Sequence, residues 1–183
     1  TGVSTFFINE NIDTGDIIDE RSIKIDILDS FGDLYHKLKK VGADLVLDSV
    51  NNIIENKINL KPQINTSNLN SANKLNKENC KIEWTMKASK VYNMIRGLSP
   101  YPGAHCFLVH KKETLKIIIY SSKIEIETHQ LNNGQIIIEK KQIKIATTDG
   151  FIIPQEIKVQ GKKRMSVSDL MNGFKFDLDS KFI

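Results

Sequence analysis

The sequence predicts an α+β chain in two parts, a strand-strand-helix unit followed by a small β-barrel with flanking helices. Three observations predict it. The apolar pattern changes from strand-like to helical at Asp29. After Ala104, short β-rich runs follow one another with turn signals between them. The net charge also reverses at Lys74: residues 1–73 hold 7 Lys+Arg against 11 Asp+Glu and residues 74–183 hold 19 against 11, so −4 and +8 add to the +4 of the 183-residue chain. Such asymmetry is expected when one module handles a polyanion and the other does something else.

In order, Val3 to Ile8 is β-branched and aromatic and predicts a strand buried on both faces. Asn9-Glu10-Asn11 breaks it, and Ile17 to Ile25 is a second strand. Between them lies the turn Asp13-Thr14-Gly15-Asp16, where Gly15 is expected to take a positive φ. Asp13 has two readings on its residues alone: a structural hairpin turn, or a partly desolvated carboxylate able to carry a proton. From a cap at Asp29 or Ser30, the positions Leu34, Leu38, Val41, Leu45, Val46, Ser49 and Ile53 trace one helix, expected to pack on the two strands and on others upstream of them. Asn56 to Asn73 is polar and reads as linker.

Met86 to Ile95 has helical spacing and should stop near Gly97, because Ser99-Pro100-Tyr101-Pro102-Gly103 cannot continue a helix. The expected strands are 106–109, 115–120, 123–128, 135–139, 142–147 and 151–159, with Asp149-Gly150 a strong hairpin signal. Such a series suggests a closed barrel of the oligonucleotide-binding (OB) type. A helix from a Ser166 or Ser168 cap covers Met165 to Leu170, and the tail from Phe174 is too short for a unit of its own. Trp84 and Tyr101 read as core residues. The four histidines read as surface or boundary residues, and Cys80 and Cys106 as reduced thiols with no metal spacing. No apolar run approaches the roughly 18 residues of a membrane span.

Three ordered stretches carry a resemblance. They are Thr1-Gly2-Val3-Ser4-Thr5 through Asn11-Ile12-Asp13-Thr14-Gly15-Asp16-Ile17; Lys74-Leu75 and Ile82-Glu83-Trp84 through Ile95-Arg96-Gly97-Leu98-Ser99-Pro100-Tyr101-Pro102-Gly103-Ala104; and Gln160-Gly161-Lys162-Lys163-Arg164-Met165 with Asp169-Leu170-Met171-Asn172-Gly173. Together they resemble the methionyl-tRNA formyltransferase family. The resemblance implies residues 1–58 as the tail of a Rossmann-like formyltransferase domain, 59–81 as a linker and 82–183 as an OB-like tRNA-binding domain. It implies Asp13 as catalytic, and Asn11, Ile12, Thr14 and Gly15 as part of a loop lining the site of 10-formyltetrahydrofolate, with no metal. It also implies that the family's catalytic Asn and His lie in a portion preceding Thr1.

For the basic half, phosphate neutralisation is the use the composition suggests. The resemblance selects Lys74, Lys77, Arg96, Lys162, Lys163 and Arg164 for contact with initiator methionyl-tRNA, while Lys111 and Lys112 read as ordinary surface charge. The expected protein is a cytoplasmic monomer, away from membranes. Two alternatives stand beside it: a sugar-nucleotide N-formyltransferase, which shares the Asp-bearing turn and the Pro-Tyr/Trp-Pro-Gly-Ala segment, and a non-catalytic nucleic-acid-binding module.

Overall fold

A computed structural model describes residues 1–63, 71–111, 113–177 and 179–183. Residues 64–70 of the expected linker, and Lys112, lie outside them. The chain divides into two compact units, Thr1–Asn73 and Lys74–Ile183.

In the first unit, β1 (Gly2–Phe6) and β2 (Ile17–Ser22) form an antiparallel pair with a register shift between Thr5 and Phe6. Burial alternates along β1, so this strand is not buried on both faces as its composition suggests. One face is covered by α1 (Phe31–Ile54), whose start is set by a Ser30 capping box with Asp33. Leu45 and Ser49 are buried there, and the Ser49 hydroxyl meets that of Thr5 at 2.7 Å. Arg21 pairs with Asp48. Val46, expected in the apolar stripe, instead faces out, and Phe7, Ile8 and Ile12 are exposed as well. Part of the expected linker is tied in, since Ile17 and Lys61 exchange both backbone hydrogen bonds, at 2.8 and 3.0 Å.

The second unit is a curled antiparallel sheet. Its strands are β3 (Ala104–His110), β4 (Glu113–Ile126), β5 (Ile136–Glu139), β6 (Gln142–Ala146), β7 (Gly150–Val159), β8 (Arg164–Ser166) and β9 (Lys181–Phe182), in the order β5-β6-β7-β4-β3-β9 with β8 on β7. Two expected strands, 115–120 and 123–128, are here one: β4 joins them without a break and ends at Ile126, bent by irregular register around Ser121. The tail supplies β9, which pairs with β3 and bridges to Gln135 just ahead of β5, so the two ends of the sheet meet. Gly134 lets that approach happen: its φ is +83°, and a Cβ there would lie 2.0 Å from the Phe182 carbonyl oxygen.

Ile82, Trp84, Cys106, Ile117, Ile119, Ile145 and Ile152 fill the interior. Helix α2 (Ala88–Leu98) inserts Ala88, Val91, Ile95 and Leu98 into it. Its first turn starts two residues later than the apolar pattern suggests, because Asp149 in the β6–β7 turn accepts from the Ala88 amide at 2.7 Å. Helix α3 (Val167–Gly173) is capped by Ser166, and Met165 belongs to β8 rather than to the helix. Two residue readings are corrected: Tyr101 is 78% exposed and no core residue, whereas His105 is buried. The turn that joins α2 to β3, closed by the Gly103 amide donating to the Leu98 carbonyl at 2.9 Å, carries Tyr101 on the surface. Among the described residues no helix is long and apolar enough to cross a membrane.

Candidate functional site

In the first unit, the chain between β1 and β2 loops out and returns, with the Phe7 amide donating to the Asp16 carbonyl at 3.0 Å. Asn9 organises the excursion. Its side-chain oxygen accepts from the Asn11 amide and from the Thr14 hydroxyl, both at 2.9 Å. From the other side, Gln63 donates to the Gly15 carbonyl at 2.8 Å. Asp13 sits at the tip with φ +52°, and it is Asp13, not Gly15, that takes the left-handed conformation. Gly15 is required for a different reason: a Cβ would lie 1.6 Å from the Phe7 carbonyl oxygen.

This geometry places Asn11, Ile12, Asp13 and Gly15 along one groove of about 310 Å³, walled by Phe6, Phe7 and Ile8. Thr14 is held against Asn9 and does not line it. Asp13 is exposed, so the partial desolvation expected for it is not provided by this unit. Asn9, an Asx-type turn former, could have been singled out from its position; Gln63 could not, being 48 residues from its partner.

In the second unit the candidate cations are in unlike states. Lys74, Lys77, Lys162 and Lys163 are exposed. Around the first two, Asn76 and Asn79 exchange side-chain-to-amide hydrogen bonds of 2.8 Å and shape the segment. Arg96 is half-buried at the end of α2 and donates to Asn93 at 2.9 Å. Lys162 and Lys163 stand in the β7–β8 turn beside Gly161, whose φ is +77°. Arg164 is committed elsewhere: it makes a two-point pair with Glu156, at 2.6 and 2.5 Å, and lies 4.2 Å from the Tyr120 ring centre. The carboxylate holds that guanidinium above its ordinary range.

One further cluster has a suggestive composition. His110 Nδ1 lies 2.9 Å from the buried Ser180 hydroxyl and 3.7 Å from Asp177. Both contacts use the same ring nitrogen, so the imidazole does not relay between acid and hydroxyl as a catalytic triad requires. The Phe174 ring, 4.6 Å away, packs on it, and the group fastens the tail that leads into β9.

The family model described as "Formyl transferase, C-terminal domain" matches residues 74–175. Methionyl-tRNA formyltransferase of Flavobacterium johnsoniae is 43% identical over 181 residues, which is 99% of this chain and 58% of that protein. The chain thus spans a little over half the length of the curated relatives it matches. An N-formyltransferase of Helicobacter canadensis, solved with folinic acid and dTDP-3-aminofucose, superposes with a TM-score of 0.59 at 25% identity, covering 84% of this chain and 54% of that one. HypX of Aquifex aeolicus in complex with tetrahydrofolic acid gives 0.63 at 16% identity over 96% of this chain and 31% of its own, a likeness of fold alone. With its second unit matched almost end to end, the chain belongs to the formyl transferase C-terminal domain family.

Proposed function

We propose that the chain is the C-terminal part of a methionyl-tRNA formyltransferase, a cytoplasmic enzyme that moves a formyl group from 10-formyltetrahydrofolate to initiator methionyl-tRNA at the start of translation. The observation that carries this reading is continuity. One relative of that name aligns at 43% identity through both the Asp13 loop and the basic unit. In this reading residues 1–58 close a Rossmann-like catalytic domain, 59–81 are the join and 82–183 are an OB-like barrel; helix packing on β1 and β2 supports the first, and the meeting of β9 with Gln135 supports the last.

The groove at the loop suits a folate donor by its chemistry: apolar Phe6, Ile8 and Ile12 for a flat ring, Asn11 and Asp13 for ring nitrogens. The donor supplies the formyl carbon. Asp13 accepts the proton that the methionyl amine loses as its nitrogen bonds to the formyl carbon, and returns it to the donor nitrogen whose bond to that carbon breaks; the Asn9 and Gln63 contacts keep its loop in place. Holding the formyl oxygen and expelling water need groups beyond this loop, so the 183-residue chain alone is expected not to turn over. In the intact enzyme, Asp13→Asn should leave tRNA affinity unchanged and lower the formylation rate by about 10²-fold or more. Near-normal formylation by that variant would remove Asp13 from the chemistry.

The sugar-nucleotide reading has one supporting observation, the fold and 25% identity shared with the Helicobacter canadensis protein. Assaying the intact protein with methionyl-tRNA and with a dTDP-amino sugar separates the two.

A further inference from the structure

Opposite residues of an antiparallel pair share a face, so the registers define what the outside of the second unit presents. One row crosses four strands as His105, Ile118, Lys158 and Arg164. The next holds Phe107 and Lys116, the latter's amide bonded to the Gln160 side chain at the start of the turn bearing Lys162 and Lys163. Ala104, Cys106, Ile117, Ile119 and Ile157 point the other way, into the core.

One aromatic ring belongs to this outer face, and a second is carried by the turn that leads into β3. Tyr120 is capped by the Arg164 guanidinium, which Glu156 holds by two hydrogen bonds. Tyr101 stands two residues before Gly103, and Gly103 meets β4 closely: a Cβ on that glycine would lie 2.6 Å from Ile118 and 3.6 Å from the Tyr120 ring. Tyr101 itself is 78% exposed. The charge is one-sided, because Lys116, Lys158, Lys162 and Lys163 have no carboxylate partner among the described residues. The same surplus acts on His105, whose imidazolium is held below its ordinary range by burial and by Lys116 and Lys81. An exposed ring in a turn that meets β4 at Ile118, the register partner of Lys158, together with unpaired cations on that face, offers what unpaired nucleotides require: a π-face for a base and charges for the phosphates that follow.

We propose that the outer face of β3, β4, β7 and β8 is a platform for unpaired nucleotides of tRNA, with Tyr101 stacking a base and Lys116 and Lys158 holding adjacent phosphates. The inference rests on tRNA being the partner, and it assigns residues that the resemblance does not select. The test uses the 183-residue chain with labelled tRNA, a single-stranded RNA octamer and an RNA duplex, titrated across salt concentrations. Tyr101→Ala should weaken tRNA and octamer binding about tenfold with the salt slope unchanged, and Tyr101→Phe should bind like the parent. Lys116→Ala and Lys158→Ala should each flatten the log–log slope by about one unit. Duplex binding should be insensitive to Tyr101. If the parent binds tRNA but the Tyr101→Ala, Lys116→Ala and Lys158→Ala variants match it, the platform is refuted while the tRNA reading stands. If the parent binds no RNA, both fall.

Discussion

Asp13, Gly15 and His105 are residues whose type is legible in sequence and whose reason is not. A short turn with a glycine announces a left-handed position, yet the acid takes it and the glycine answers to a backbone oxygen. His105 sits in an alternating strand at a position that is outward by register, but the segment from Cys80 to Ile82 lies along it, with the His105 amide donating to the Cys80 carbonyl at 3.0 Å. Its depressed basicity has a definite consequence for stability. A base whose pKa is lower folded than unfolded favours the unfolded chain once protons become available. The contribution is complete above about pH 6.5 and is lost as pH falls below it toward the folded value. The second unit should therefore unfold at lower urea at pH 5 than at pH 7.5, and His105→Gln should reduce that difference. Equal pH dependence in variant and parent would assign it to other groups.

The elements differ in how locally their ends are determined. α1 carries its own start signal: Ser30 and Asp33 close a capping box, and Lys37 draws Asp26 and Asp29 to 2.8 Å. Hydrogen bonds from Lys37 to Asp29, and from Ser30 to Asp33, hold both carboxyls below the usual range. Their contribution is present above about pH 4 and disappears as pH drops through the folded values. Helical content of the first unit should fall in that acid window, followed by circular dichroism. α2 has no cap of its own, since Lys87 offers no acceptor and Asp149, 61 residues away, supplies it. Asp149→Ala should cost about 1 kcal/mol in urea unfolding, with Asp149→Asn recovering most of it. A loss no larger than that at an ordinary exposed carboxylate would mean that the α2 start is held by packing alone.

Across the whole molecule, charge is segregated between units of opposite sign, in keeping with the division of labour proposed above. The cations proposed for tRNA contact are not equivalent. Lys162 and Lys163 are exposed in a turn, whereas Arg164 is already neutralised by Glu156. Replacing Lys162 and Lys163 together with Ala should flatten the salt dependence of tRNA binding by about two log–log units. Arg164→Ala should change the slope little and instead loosen β8 on β7. A slope change for Arg164 equal to that of either lysine would show that the Glu156 pair opens on binding.

By itself the sequence determined the reversal of charge at Lys74, the run of strands after Ala104, an α1 cap at Asp29 or Ser30, of which the structure selects Ser30, and the three motifs that point to the formyltransferase family. These are local quantities: charge per segment, alternation of apolar residues, capping chemistry and contiguous matches. Only the tertiary structure decided that two expected strands are one, that the short tail meets Gln135, that Arg164 is spent on Glu156 and that Tyr101 faces solvent. Each of these depends on a partner far along the chain, and spacing cannot report which distant side chain a charge or a ring will meet once the sheet has curled.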